Sequence, residues 1–341
     1  GLKGPTYNAL NGHTGSVMDI AFEPGTSNLY TTGGDGKIIQ WDIENPEKNS
    51  ETIIENPFVH RSLAVTPNGK WLICGTDDSK ILLFNLENSV ELNQELTGHS
   101  SIVSSVVVSP DNDWFLSASN DKTIRKWDLE TFNSEIIIES DSKINAVAIS
   151  PDSKNIAMGT QDGRIIIFKV NQIDKPDTIN LESNTALTSL KYSHSGNWFV
   201  SGSSKGDVTV WNTENYEKID NLEGHKSRIY DIDFNSEDKI MATSSLDGTV
   251  RMWDCENLNN QPVELRDHES WVLSIAFSPD DKWLVTSSNQ KERILIWPTR
   301  AELVAPDVYE RIERNMTPDE WEAYVAKDID YEKTILNLDN P

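Results

Sequence analysis

His13, Thr31, Asp35 and Trp41 place an imidazole, a hydroxyl and a carboxylate within one short stretch of chain. The same residue types return at the same spacing as His99, Ser117, Asp121 and Trp127, and again as His225, Thr243, Asp247 and Trp253. The first three types are those of nucleophilic hydrolysis, in which a base takes the hydroxyl proton and a carboxylate orients the base. That chemistry needs one exposed hydroxyl beside one oxyanion hole. Three equivalent sets point instead to a structural task repeated along the chain, so no catalytic residue is assigned and the chain is not expected to be an enzyme. The sequence holds no phosphate-binding loop ending in Gly-Lys-Ser/Thr, no dinucleotide fingerprint, no paired-His zinc motif and no calcium loop. No cofactor and no metal are therefore expected.

The elements that must position these residues read as short hairpins. "TTGGDGKIIQWD", residues 31 to 42, turns through Asp35-Gly36, a pair suited to the positive φ of tight hairpin turns. "SASNDKTIRKWD" and "TSSLDGTVRMWD" repeat its layout and end at Trp127-Asp128 and Trp253-Asp254. Aligning the closing aromatic of every copy gives Trp41, Phe84, Trp127, Phe168, Trp211, Trp253 and Trp297, with separations of 43, 43, 41, 43, 42 and 44 residues. Seven copies of a period in the low forties, with Gly-His near the start and Trp-Asp near the end, mark four-stranded propeller blades. Over residues 6 to 298 the chain resembles the WD-repeat family.

The expected fold is all-β, a seven-bladed β-propeller of four-stranded antiparallel blades. Each copy offers a first strand with apolar positions such as Val17, Ile20 and Phe22, and a corner such as "SPDNDW" or "TPNGKW". Two further strands and a more polar fourth follow. "TYNAL" (6 to 10) precedes Gly12-His13 without a blade of its own, while the seventh copy lacks a fourth strand after "ILIW" (294 to 297). The N-terminal strand is expected to complete that last blade and remove the open sheet edges.

The resemblance implies that the three tetrads are buried hydrogen-bond chains tying an inter-blade loop to the second and third strands, which suits polar groups that need partners when buried. Other blades depart from the pattern. Phe84 and Phe168 replace the Trp, with Cys74 and Met158 at the hydroxyl position, and Lys205 and Lys291 stand near the Asp position of blades five and seven. Blade seven also carries one extra residue around "NQKER". These blades are expected to lean on packing. The resemblance further implies a peptide-binding rim formed by the residues that flank the Val17-equivalent position of each blade. Arg228, Tyr230, Trp271 and Leu273 on blades six and seven, with Arg61 and Met18, are the candidate partner-binding residues, because Trp, Tyr and Arg are enriched at binding hot spots.

Composition narrows the partner. The 341 residues include 55 Asp and Glu against 30 Lys and Arg, a net charge of −25. Such a surface repels phosphate backbones and attracts basic peptides, so a protein or peptide partner, basic in character, is expected and nucleic acid is not. No apolar run is long enough to cross a bilayer, and no membrane partner is expected. Cys74 and Cys255 occupy non-equivalent places and suggest neither a disulfide framework nor a zinc site, which fits the cytoplasm.

Beyond Trp297 the pattern changes to a C-terminal extension, 299 to 341. "TPDEWEAYVAKD" reads as a short helix near 318 to 327, capped by Thr317 with Glu320 completing a capping box, and its Trp321, Tyr324 and Val325 stripe is expected to pack on the propeller. The segment "RNMTPDEWEAYVAKDIDYEKTILNL" resembles the extension that follows bacterial WD-repeat arrays in multidomain signalling NTPases, through Arg314, Asn315, Thr317, Glu320, Trp321, Tyr331 and Thr334. That resemblance implies an N-terminal effector region upstream of Gly1. The expected function is a protein-interaction module, the C-terminal sensor or scaffold domain of a larger bacterial signalling or defence protein. A free-standing cytoplasmic scaffold and a propeller enzyme with a site in its central channel are the alternatives.

Overall fold

The computed structural model describes residues 8–45, 50–87, 90–180, 185–289 and 294–299. The expected helix near 318 to 327, the rest of the extension beyond 299, Lys291 and most of "NQKER" lie outside the described residues.

Seven four-stranded antiparallel sheets follow one another along the chain. Blade one is built from Val17–Phe22, Asn28–Gly33, Lys37–Asp42 and Ser50–Glu55. The innermost strands of the other blades are His60–Val65, Val103–Val108, Ile144–Ile149, Leu187–Tyr192, Ile229–Phe234 and Val272–Phe277. Each packs against the inner strand of the next blade, and Val272–Phe277 returns to Val17–Phe22, so the ring is closed. The closure is the one expected from the sequence. Asn8–Leu10 pairs antiparallel with the third strand of blade seven and becomes its outer strand, with Asn8 opposite Ile296 and Leu10 opposite Ile294.

Burial follows from sheets covered on both faces. The second strands Trp71–Thr76 and Trp114–Ser119 are buried along their whole length, whereas the fourth strand Glu91–Leu96 is exposed at every residue but the last. The core lies between blades. Leu10, Val17, Ile20 and Trp41 pack against Val285, Ile294 and Ile296 of blade seven, and Tyr30 and Ile38 pack against Leu72, Leu82 and Phe84 of blade two.

One feature departs from simple alternation. The register of every inner strand slips by one residue against its neighbour, between Val17 and Asp19 in blade one and at the equivalent place in all the others. This bulge explains why Val17 and Ile20, three apart, are both buried in the same cluster. The skipped residues include Met18, Arg61, Tyr230 and Leu273.

Turn chemistry also links the blades. Gly36 has φ +77°, and a Cβ there would collide with the carbonyl of Asn56, in the connection to blade two, whose N–H donates to Gly36 O at 3.0 Å. At the first corner of blades three, six and seven, left-handed Asn112, Asp238 and Asp281 turn their side chains toward the preceding blade. They accept from the N–H groups of Asn68, Ser195 and Ser236 at 2.8, 2.6 and 2.9 Å.

Candidate functional site

The three tetrads assemble as hydrogen-bond relays. In blade one, His13 Nδ1 faces the Asp35 carboxylate at 3.0 Å and Nε2 lies 2.8 Å from Thr31 Oγ1, which also accepts from Trp41 Nε1 at 2.8 Å. A carboxylate only accepts, so Nδ1 carries the proton, and Thr31 donates its hydroxyl hydrogen to Nε2. His99, Asp121, Ser117 and Trp127 repeat the relay at 2.9, 2.7 and 2.8 Å, and His225, Asp247, Thr243 and Trp253 at 3.0, 2.8 and 2.9 Å. Gly12 is required beside His13 because a Cβ would press into the Trp41 ring.

Electrostatics fit this direction. Burial outweighs the Asp35 and Asp121 bonds and pushes His13 and His99 below the ordinary imidazole range. Burial alone would raise Asp121, but the Ser100 N–H, the Thr123 hydroxyl and His99 hold it down to about 2. Asp35 is lowered in the same way by the Thr14 N–H and His13. The hydroxyls of Thr31, Ser117 and Thr243 are fully buried and committed at both ends, so none can meet a substrate.

A fourth relay escaped the sequence reading. His268 Nε2 lies 2.7 Å from Thr286 Oγ1, which accepts from Trp297 Nε1 at 2.9 Å. Its signal was the His-to-hydroxyl spacing of 18, shared with the three tetrads. It was masked because Asp267 replaces the Gly of Gly-His and the Trp stands 11 rather than 10 residues after the hydroxyl. Blade five keeps only Trp211 Nε1 to Ser201 Oγ, at 2.9 Å.

The inner strands enclose a central channel of about 790 Å³. Met18, Arg61, Arg228, Tyr230 and Leu273 line it, at the end where the inner strands begin. Trp271 is outside the lining, one residue before the blade-seven inner strand, and 45% exposed. The Arg228 guanidinium lies over the Tyr230 ring, 5.4 Å from its centroid. Among the described residues no cluster of three or more His, Cys, Asp or Glu is placed to hold a metal, and no helix is long and apolar enough to cross a membrane.

Deeper in the channel is a cluster that sequence reasoning did not find. Asp19 of blade one accepts from Leu63 N of blade two at 2.7 Å, and Asp231 of blade six accepts from Ile275 N of blade seven at 3.0 Å. Ser274 Oγ of blade seven lies 2.8 Å from Asp19 Oδ1 and 3.0 Å from Asp231 Oδ2. One hydroxyl has one hydrogen to give, so both contacts are hydrogen bonds only when one carboxyl is protonated and donates to the serine oxygen. Burial, followed by the Asp19 charge, outweighs the attraction of Lys191 and pushes Asp231 up to about 7. Burial raises Asp19 as well. The pair titrates as a unit.

A pH dependence follows. The unfolded carboxyls release their protons near pH 4, whereas the folded pair keeps one to near neutrality, so this cluster's contribution to stability falls as pH rises through that window. His13 and His99 act in the opposite sense, because below about pH 6.5 the unfolded imidazoles take up protons that the fold refuses. Asp231→Asn isolates the carboxyl cluster. The unfolding free energy of the wild type minus that of Asp231→Asn is expected to fall by about 2 kcal/mol between roughly pH 5 and 8 in urea titrations. A flat difference would exclude the shared proton.

Comparisons with known proteins agree with this architecture. The family model described as the IFT122 first beta-propeller matches residues 59–304, and the model for the WD domain, G-beta repeat, matches residues 4–42. Translation initiation factor 3 subunit I of Candida albicans is 34% identical over 105 residues, covering 31% of this chain and 29% of that protein. A chromatin assembly factor 1 subunit of Gallus gallus is 27% identical over 167 residues, covering 48% and 25%. Protein HIR1 of Cryptococcus neoformans is 23% identical over 189 residues, covering 47% and 21%. The chain thus spans less than a third of the length of each of these relatives.

Proposed function

The chain belongs to the WD-repeat β-propeller family, and on that premise we propose that it is a non-enzymatic module that binds a protein partner at the channel entrance formed by the starts of the inner strands. The observation that carries this reading is the grouping of Arg228, Tyr230 and Leu273 in the channel lining, next to exposed Trp271 on the adjoining blade. Large aromatic and guanidinium groups that remain accessible in a packed ring are the usual anchors of a binding hot spot. Relatives named as subunits, of translation initiation factor 3 and of chromatin assembly factor 1, support a role inside an assembly. The burial of every relay hydroxyl supports the absence of hydrolytic chemistry.

Two finer readings go with this proposal. The tail resemblance favours a sensor or scaffold domain of a larger bacterial signalling or defence protein with an N-terminal effector region, although the relatives named above are eukaryotic. A free-standing cytoplasmic scaffold is the alternative, supported by two unpaired buried cysteines, and the intact mass of the native product distinguishes the two. The net charge favours a basic partner over the surface at large.

The test is partner capture from the native host with the wild type and with Tyr230→Ala/Trp271→Ala. Loss of two anchors worth about 2 kcal/mol each should weaken the complex at least roughly a hundredfold with little change in melting temperature. A partner held equally well by the double variant would move the binding surface elsewhere.

A further inference from the structure

We propose that the channel entrance takes an acidic segment of the partner protein, clamped by Arg61, Lys143 and Arg228; this rests on the reading of the entrance as the partner surface. It reverses the sign of partner charge that net charge alone suggests. In a chain with 55 acidic and 30 basic residues, the positions that flank the Val17-equivalent residue, two on each of seven blades, contain these three cations and no carboxylate. The cations fall on blades two, four and six, around one opening, and all three line the channel.

They are not used by the fold. No carboxylate among the described residues pairs with Arg61, Lys143 or Arg228, whereas Arg164, Arg251 and Arg266 are paired with carboxylates and Arg125 bonds the Ser134 hydroxyl. The Nε atoms of Arg61 and Arg228 are buried without a hydrogen-bond partner, as are those of Arg125 and Arg251. The latter two guanidinium groups bond Ser134 and Glu264 through their terminal nitrogens, whereas Arg61 and Arg228 have no side-chain hydrogen bond among the described residues, a costly state unless a ligand or water supplies an acceptor.

The carboxylates deeper in the channel do not satisfy them either. Asp19 and Asp231 are held by backbone N–H groups and Ser274, and Asp233 is bound by Lys191 at 2.8 Å and by Phe277 N at 2.9 Å. The charged lining as a whole comprises Asp19, Asp231 and Asp233 against Arg61, Lys143, Lys191 and Arg228, a net positive site on a strongly negative molecule.

The geometry suits carboxylates in particular. The Arg228 guanidinium lies over the Tyr230 ring, and a guanidinium without a carboxylate partner can give two parallel bonds to a carboxylate. Trp271 beside it offers an apolar face. The segment recognised should therefore carry Asp or Glu residues around one bulky apolar side chain.

The experiment uses two labelled peptides of about twelve residues, one Glu/Asp-rich and one Lys/Arg-rich, each with a central Phe, titrated against the full chain by fluorescence anisotropy. The acidic peptide is expected to bind, to lose at least about tenfold in affinity with Arg228→Glu or Arg61→Glu, and to be unaffected by Lys218→Glu on an exposed outer strand. Arg228→Gln, which removes charge without reversing it, should fall between. Binding of the basic peptide alone, equal binding of the acidic peptide by wild type and Arg228→Glu, or tighter binding of a single-stranded oligonucleotide would each overturn the inference. If the acidic peptide fails while the native partner is still lost from Tyr230→Ala/Trp271→Ala, the entrance stands as the partner surface and only its charge preference is wrong.

Discussion

Leu10→Asp is expected to open the ring, lowering the unfolding free energy by about 4 kcal/mol or more. Among the described residues, the strand that completes blade seven is Asn8–Leu10, hydrogen-bonded along Ile294–Ile296. Leu10 is 2% exposed and sits in the cluster that joins blade seven to blade one, among Val17, Trp41, Ile294 and Ile296. An aspartate there must remain ionised in an apolar site or keep its proton at neutral pH, and in either case the leucine's packing is lost. Detaching the strand would also expose the backbone of the third blade-seven strand as an unpaired edge, so the variant should associate at concentrations where the wild type does not. Ala9→Asp is the control, since Ala9 is exposed on the opposite face of the same strand and should change stability little. Urea unfolding followed by tryptophan fluorescence, with light scattering, checks both variants. A Leu10→Asp protein within about 1 kcal/mol of wild type would mean that closure does not depend on this strand.

Thr31→Val should cost about 4 kcal/mol although the side chains are nearly the same size. The Thr31 hydroxyl accepts from Trp41 Nε1 and donates to His13 Nε2, and all three residues are at most 2% exposed. Valine leaves a buried donor and a buried acceptor without partners, and each such orphan costs about 1–3 kcal/mol. Thr31→Ser keeps the hydroxyl and should lose much less. Adding Trp41→Phe to Thr31→Val removes the orphaned N–H together with its lost partner, so the double variant should be less destabilised than the sum of the singles. Blades two and four carry that combined replacement naturally, as Cys74 with Phe84 and Met158 with Phe168, all buried. Equal stability of Thr31→Val and wild type in urea titrations would reduce the relay to a by-product of packing.

The seven blades, their strand order and the ring closure were legible because each rests on a local rule applied repeatedly. Asp35-Gly36 makes a turn wherever it occurs, and a buried Trp N–H must find a hydroxyl across its own hairpin, which fixes the spacing of 10 between Thr31 and Trp41, Ser117 and Trp127, and Thr243 and Trp253. The fourth relay at His268 was hidden only by a substituted glycine and one inserted residue. The inner-strand bulge was not legible, since Val17 and Ile20 read equally well as imperfect alternation until the register is known.

Sequence alone therefore determined the repeating unit, the number of blades and the residues of three relays, because covalent neighbours and hairpin partners set those contacts at short range. Tertiary structure decided the chemistry of the channel. Asp19 and Ser274 are 255 residues apart, and Ser274 and Asp231 are 43 apart, yet ring closure brings all three within hydrogen-bonding reach. It likewise turns Arg61, Lys143 and Arg228 toward one opening, a local charge that the total of −25 conceals. The repeat constrains the residues that build each blade, while the residues facing the channel are free to vary from blade to blade, and only the closed ring shows which of them meet.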